Sequence, residues 1–156
     1  MNHYAAPMHE LLVGRGETVA SAESLTGGQL AAQLSGPPGA SASYVGGVVS
    51  YATSVKEQVL GVPAGLVASY GVVSAECAEA MASGVRRLTG ATWAVSTTGV
   101  AGPTEQEGKP VGTVFVGIAG PGGVTSVALH LDGDRAAIRR QTCRLAVEQL
   151  RTAIDG

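Results

Sequence analysis

Thr18-Val19-Ala20-Ser21-Ala22-Glu23-Ser24-Leu25-Thr26-Gly27-Gly28-Gln29-Leu30 is the stretch whose reading decides the fold. A strand-like run, Thr18 to Ser21, leads into Ala22 to Gly28, and a helix-like run from Gln29 to Leu34 follows. At a strand-to-helix turn the first backbone N–H groups of the helix lack intrahelical partners and favour negative charge. Two glycines let another group approach the backbone closely. Ser24 is therefore a hydroxyl nucleophile beside a candidate oxyanion pocket. Read locally, a Ser or Thr helix cap followed by flexible glycines explains the turn equally well.

Outward from this turn, strand and helix patterns alternate. A helix is expected over 8–15, with Leu11 and Leu12 inward and Gly16 as a left-handed stop. A strand over 18–22 and a helix over 26–35 come next, then the breaker Gly36-Pro37-Pro38-Gly39. Strand 44–51, short helices over 54–60 and 63–70, and a longer helix over 75–88 capped by Ser74 follow. Strand 92–97 runs into Thr98-Gly99-Val100-Ala101-Gly102-Pro103. After a polar loop, 104–109, strands 111–119 and 124–131 are joined through Gly120-Pro121-Gly122-Gly123 as a hairpin. Asp134 is the expected cap of a final helix reaching about 153, with Ile138, Leu145 and Leu150 inward. The class is α/β: a three-layer α/β/α arrangement with a mixed, mostly parallel sheet.

Composition narrows the function. The 156 residues suit one domain spanning 1–156, with 1–7 expected as a flexible tail. A formal net charge of -2 without a basic block disfavours nucleic-acid binding. No apolar run is long enough for a membrane span and no signal peptide is evident, so a cytoplasmic location is expected. Cys77 and Cys143 read as small buried apolar residues rather than a disulfide or zinc pair. His3 and His9 are expected in a mobile tail, and His130 stands alone on a strand. No metal and no cofactor are expected.

In an open α/β sheet, ligands gather at loops after the carboxyl ends of parallel strands. Three such loops hold candidates: the Ser24 turn, the segment after Tyr51 that carries Lys56, and Thr98 to Pro103. Ser24 needs a base, and no histidine is suitably placed. A lysine serves if burial lowers its pKa. Lys56 has an apolar neighbourhood, Val55 and Val59, though a solvated helix lysine is the blander account. Tyr51 could orient a proton or be a core aromatic. The backbone of residues 98–103 could hold a phosphate or form only a tight turn. Arg135, Arg139, Arg140 and Arg144 lie at helical spacing, either as exposed ion-pair partners or as phosphate ligands.

These residues, taken in order, resemble the CinA C-terminal-domain family of nicotinamide-mononucleotide amidohydrolases. Ala22-Glu23-Ser24-Leu25-Thr26-Gly27-Gly28 is similar to its Ala-Glu-Ser-Cys-Thr-Gly-Gly signature, with Leu25 in place of the cysteine. Val48-Val49-Ser50-Tyr51 through Lys56, Leu60 to Pro63, Gly71 to Ser74, Thr98 to Pro103, Lys109 to Val114, and Gly133-Asp134-Arg135 with Arg139-Arg140-Gln141 follow at matching spacing. The loop Thr104-Glu105-Gln106-Glu107-Gly108 is poorer in glycine than the family's. The resemblance implies release of ammonia from the carboxamide of a small-molecule nucleotide, nicotinamide mononucleotide. It implies Ser24 as nucleophile, Lys56 as base and Tyr51 as an aid to proton transfer. Thr26, Gly27 and Gly28 would steady the oxyanion. Thr98, Gly99, Ala101 and Gly102, with Arg139 or Arg140, would hold the nucleotide. It also implies a homo-oligomer. A non-catalytic nucleotide-binding module, or an amidase for another small carboxamide, is the alternative.

Overall fold

The computed structural model describes residues 3–156. Met1 and Asn2, part of the expected tail, lie outside the described residues. The elements are α1 (Ala6–Arg15), β1 (Val19–Glu23), α2 (Gln29–Ser35), β2 (Tyr44–Val49), α3 (Thr53–Gln58), α4 (Ala64–Tyr70), α5 (Ala75–Thr89), β3 (Trp93–Gly99), β4 (Thr113–Gly120), β5 (Gly123–His130) and α6 (Arg135–Asp155). The sheet order is β2-β1-β3-β4-β5. β1 pairs in parallel with β2 and β3, while β4 is antiparallel to both neighbours. Four of the five strands thus run one way, and β4 alone is reversed.

Side chains alternate across the strands and feed two cores. Val19, Val95, Val114, Val116 and Ile118 pack with Met8 and Leu12 of α1, Leu30 and Leu34 of α2, and Ile138, Ala146 and Leu150 of α6. On the other face Ala20, Ala22 and Ala94 pack with Leu60 and with Cys77, Met81 and Val85 of α5. The small residues of β1 and α5 let helix and sheet approach closely. A Cβ on Gly117 would run into the Ala78 carbonyl of α5.

Local chemistry sets the boundaries. Ser74 accepts from the Cys77 N–H and Asp134 from the Ala137 N–H, so both expected caps form. Gly16 and Gly90 end α1 and α5 in the left-handed region. Two expectations need correction. The helix expected over 26–35 begins only at Gln29, because Gly27 and Gly28 have φ of 54° and 104°, outside the helical range. His9 is no tail residue. It is buried on α1, with Nδ1 2.6 Å from Ser43 Oγ and Nε2 2.7 Å from the Leu34 carbonyl. Cys77 and Cys143 are both buried and free. No helix among the described residues is long and apolar enough to cross a membrane.

Candidate active site

Because β1, β2 and β3 are parallel, the loops after them emerge at the same end of the sheet. The Ser50 N–H donates to the Glu23 carbonyl at 2.7 Å, and the Ser24 N–H donates to the Thr97 carbonyl at 3.0 Å. These two bonds tie the ends of the three strands together. Around them lies a cavity of about 330 Å³ lined by Ser24, Tyr51, Lys56, Thr98, Gly102 and Arg135, among others.

Lys56 sits at the base of this cavity and is only 1% exposed. Its Nζ is 2.7 Å from the Ser50 carbonyl, 3.1 Å from the Tyr51 carbonyl and 2.9 Å from Ser24 Oγ. Two of these partners accept only. A neutral amine gives one N–H to each carbonyl and turns its lone pair toward the Ser24 hydroxyl. Burial holds Lys56 below its ordinary value of 10.5, opposed by the nearby Cys77 and Glu107. Burial also pushes the Cys77 thiol up to about 11. At neutral pH that thiol is uncharged and does not help to keep a proton on Lys56. Among the described residues no carboxylate forms an ion pair with the amine. The arrangement suits a hydroxyl nucleophile with an amine base.

The Ser24 turn is held from two sides. Behind it, the buried Glu23 carboxylate accepts from the N–H groups of Gly28 (3.1 Å), Leu30 (2.8 Å) and Ala31 (3.0 Å), and from the Thr26 hydroxyl (2.6 Å). Thr26 Oγ1 also lies 2.8 Å from Thr97 Oγ1. From α6, Arg139 donates its Nε to the Leu25 carbonyl at 2.9 Å and approaches the Thr26 carbonyl at 3.4 Å.

These contacts redistribute the expected roles. Thr26, Gly27 and Gly28 stand behind the cavity rather than along it. The Thr26 hydroxyl and Gly28 N–H are taken by Glu23, and the Gly27 N–H donates to the Ser24 carbonyl at 3.1 Å. The N–H groups of Leu25 and Thr26 find no acceptor among the described residues. Arg139 braces the turn. Arg140 is exposed in a separate groove with Tyr4, Gln29 and Arg144. The arginine that lines the cavity is Arg135, bonded to the Gly102 carbonyl at 2.6 Å and to the Tyr51 hydroxyl at 3.1 Å. Tyr51 therefore meets Lys56 through its main chain and Arg135 through its phenol. Thr98, Gly99, Ala101 and Gly102 all line the cavity, and Thr98 Oγ1 donates to the Val72 carbonyl at 2.7 Å.

Sequence reasoning assigned no role to Glu23. The available signal was a lone carboxylate in an apolar strand just before a helix start. Arg135 is one of four arginines on the last helix that the sequence offers as phosphate ligands. It pairs with Arg139 at a spacing of four, and both lie in phase with the buried stripe of α6, whereas Arg140 and Arg144 lie outside it.

Comparison with known proteins agrees with this architecture. The chain belongs to the CinA C-terminal domain family, whose pattern matches residues 1–154. It is 52% identical over 146 residues to a CinA-like protein of Frankia casuarinae, covering 94% of this chain and 34% of that protein. A CinA-like protein of an Anaeromyxobacter species is 53% identical over 144 residues, covering 92% of this chain and 35% of that protein. The chain thus spans about a third of the length of the curated relatives it matches. The crystal structure of a CinA superfamily protein from Klebsiella pneumoniae superposes with a TM-score of 0.95 at 33% identity, covering 99% of both chains. A competence/damage inducible protein from Agrobacterium tumefaciens gives 0.91 at 34% identity, covering 98% of this chain and 94% of that one.

Proposed function

We propose that this domain hydrolyses the carboxamide of nicotinamide mononucleotide to nicotinate mononucleotide and ammonia. The observation that carries the reading is the buried Lys56 amine, 2.9 Å from Ser24 Oγ with two carbonyls as its other partners. Family membership adds support. In this scheme Ser24 Oγ attacks the amide carbon while its proton passes to Lys56 Nζ. The N–H groups of Leu25 and Thr26 are the donors closest in sequence to the nucleophile for the developing oxyanion, a contribution of ~3 kcal/mol per donor in other acyl-transfer sites. Lys56 then gives its proton to the departing nitrogen, and the C–N bond breaks to leave an ester on Ser24. Water attacks that ester, Lys56 takes its proton and returns it to Ser24, and the acid leaves. Arg135, at the cavity wall with Tyr51, is the cation for the nucleotide phosphate. The domain is also taken to work as a homo-oligomer, which sedimentation of the purified protein tests. Ammonia release measured on nicotinamide, its riboside, its mononucleotide and its dinucleotide tests the reaction. Turnover fastest on the mononucleotide is expected, and none on any of the four would overturn the reading.

A further inference from the structure

The polar loop between Gly102 and Val111 is built as a latch. Gln106 and Lys109 exchange two backbone hydrogen bonds, 3.2 and 2.9 Å, across a two-residue tip of Glu107 and Gly108. Both tip residues have positive φ, 56° and 72°. Such a turn favours glycine, and a glutamate there is disfavoured by its own backbone. The side chain shows what sets it there. Glu107 Oε2 accepts from the Val72 N–H and Oε1 from the Val73 N–H, each at 2.9 Å. Lys109 Nζ donates to the Val73 carbonyl, so both arms of the loop grip one dipeptide. Gly71 makes room for the carboxylate: a Cβ there would stand 2.5 Å from Glu107 Oε1.

What the latch holds is the cavity wall. Thr104, Glu105 and Gln106 line the same cavity as Ser24 and Lys56, and so do Val72 and Val73, whereas Glu107 is not among the lining residues. We propose that Glu107 is a positioning residue that holds the 104–106 wall against Val72 and Val73 and so sets how tightly the cavity grips the part of the substrate beyond the reacting carboxamide. This rests on the reading that the cavity takes a nucleotide carboxamide. On that reading the ribose phosphate, and not the nicotinamide ring, is the part of the substrate that meets the wall.

Two variants separate this role from that of a mere turn former. Glu107→Gln keeps the shape but cannot accept from both N–H groups. Glu107→Gly relaxes the turn and removes the latch. Both are expected to raise KM for the mononucleotide roughly tenfold, as the loss of a charge-assisted contact does, with kcat compared on the alkaline plateau, where Lys56 is neutral with or without the nearby Glu107 charge, and near the wild-type value there. Hydrolysis of nicotinamide on the same plateau should not change. Amide hydrogen exchange at Val72 and Val73 should quicken in both variants. An unchanged KM in Glu107→Gly would mean that the glutamate only shapes the turn and would overturn the proposal. Unchanged exchange at Val72 and Val73 would overturn the latch itself. Should the wild-type protein release no ammonia at all, the proposed reaction and the substrate clause fall together, while exchange still decides the latch.

Discussion

The Lys56 amine stands 2.9 Å from the Ser24 hydroxyl although 32 positions separate the two in the chain. The closeness follows from the parallel pairing of β1 with β2, which delivers the turn after one strand and the helix after the other to the same place. Removing either partner should abolish the reaction and spare the fold. Ser24→Ala and Lys56→Met are expected to lower kcat at least roughly 10³-fold, the scale seen when a nucleophile or its base is lost. Ammonia release read beside far-ultraviolet circular dichroism checks this. Native spectra with wild-type turnover in either variant would exclude the mechanism.

Burial of Lys56 has a pH signature of its own. The proposed reaction needs the neutral amine, so the rate should rise with pH through a midpoint below the ordinary 10.5. Stability follows the same sign. Between the depressed folded value and 10.5 the unfolded chain binds a proton that the folded chain does not, so stability rises with pH across that window. Urea titrations of wild type and Lys56→Met over this range should differ in slope by up to ~1.4 kcal/mol per pH unit. Parallel profiles would show that the amine is no less basic in the fold.

Much of this architecture was legible in the sequence, for reasons that also explain the misses. β-Branched runs such as Val45 to Val49 and Thr92 to Thr98 mark strands, and Ser74 and Asp134 announce their helices by capping them. Three strand-end loops identify where chemistry gathers, and they do surround one cavity. Which N–H groups a turn leaves free is another matter. Gly27 and Gly28 hide a left-handed backbone behind a helical pattern, and Glu23 reaches forward to fill the anion site that the helix start seemed to offer. The separate tasks of the α6 arginines were equally hidden. On a helical wheel Arg135 and Arg139 fall on the inward face with Ile138 and Leu150 while Arg140 and Arg144 fall off it, but only tertiary packing shows that Arg139 braces the Ser24 turn and Arg135 reaches the cavity.

Glu23 should matter more than its silence in the sequence suggests. Its carboxylate serves three backbone N–H groups and one hydroxyl with almost no solvent to replace it. Glu23→Gln keeps the volume but turns one acceptor into a donor facing N–H groups. A loss of about 2–4 kcal/mol is expected from the charged hydrogen bonds and the orphaned donors. Chemical denaturation measures it. A change below about 0.5 kcal/mol would mean that the turn holds itself without the carboxylate.

His9 predicts a second pH dependence, of stability rather than of rate. Its Nε2 faces the Leu34 carbonyl and must carry the proton, leaving Nδ1 to accept from the Ser43 hydroxyl. Burial, opposed by the bond to Leu34, lowers its pKa from the ordinary 6.5. The folded state therefore favours the neutral ring, and the unfolded state binds the proton first as pH falls. Stability from this site is complete above 6.5 and is lost below it, toward the depressed folded value. Thermal midpoints between pH 7.5 and 5 should fall more steeply for the wild type than for His9→Asn, whose profile lacks this titration. Equal slopes would assign the acid sensitivity to other groups.

Gly84 links packing to Lys56, the proposed base. It lies inside α5, where alanine is the better helix former by about 1 kcal/mol. Propensity alone makes Gly84→Ala stabilising. Tertiary contact decides otherwise: a Cβ at this position would run into the Leu60 carbonyl. Leu60 is buried two residues past the end of α3, the helix that carries Lys56, and the Val62 N–H is bonded to the Lys56 carbonyl at 3.1 Å. Relief of the clash must move backbone, either α5 away from the sheet or the α3 segment away from the cavity. Overpacking of this kind costs about 1–3 kcal/mol, enough to outweigh the gain in propensity. Gly84→Ala should therefore lower the denaturation midpoint, and it should also lower kcat because the Lys56 amine shifts relative to Ser24. A variant as stable and as active as the wild type would show that α3 is not positioned by its contact with α5.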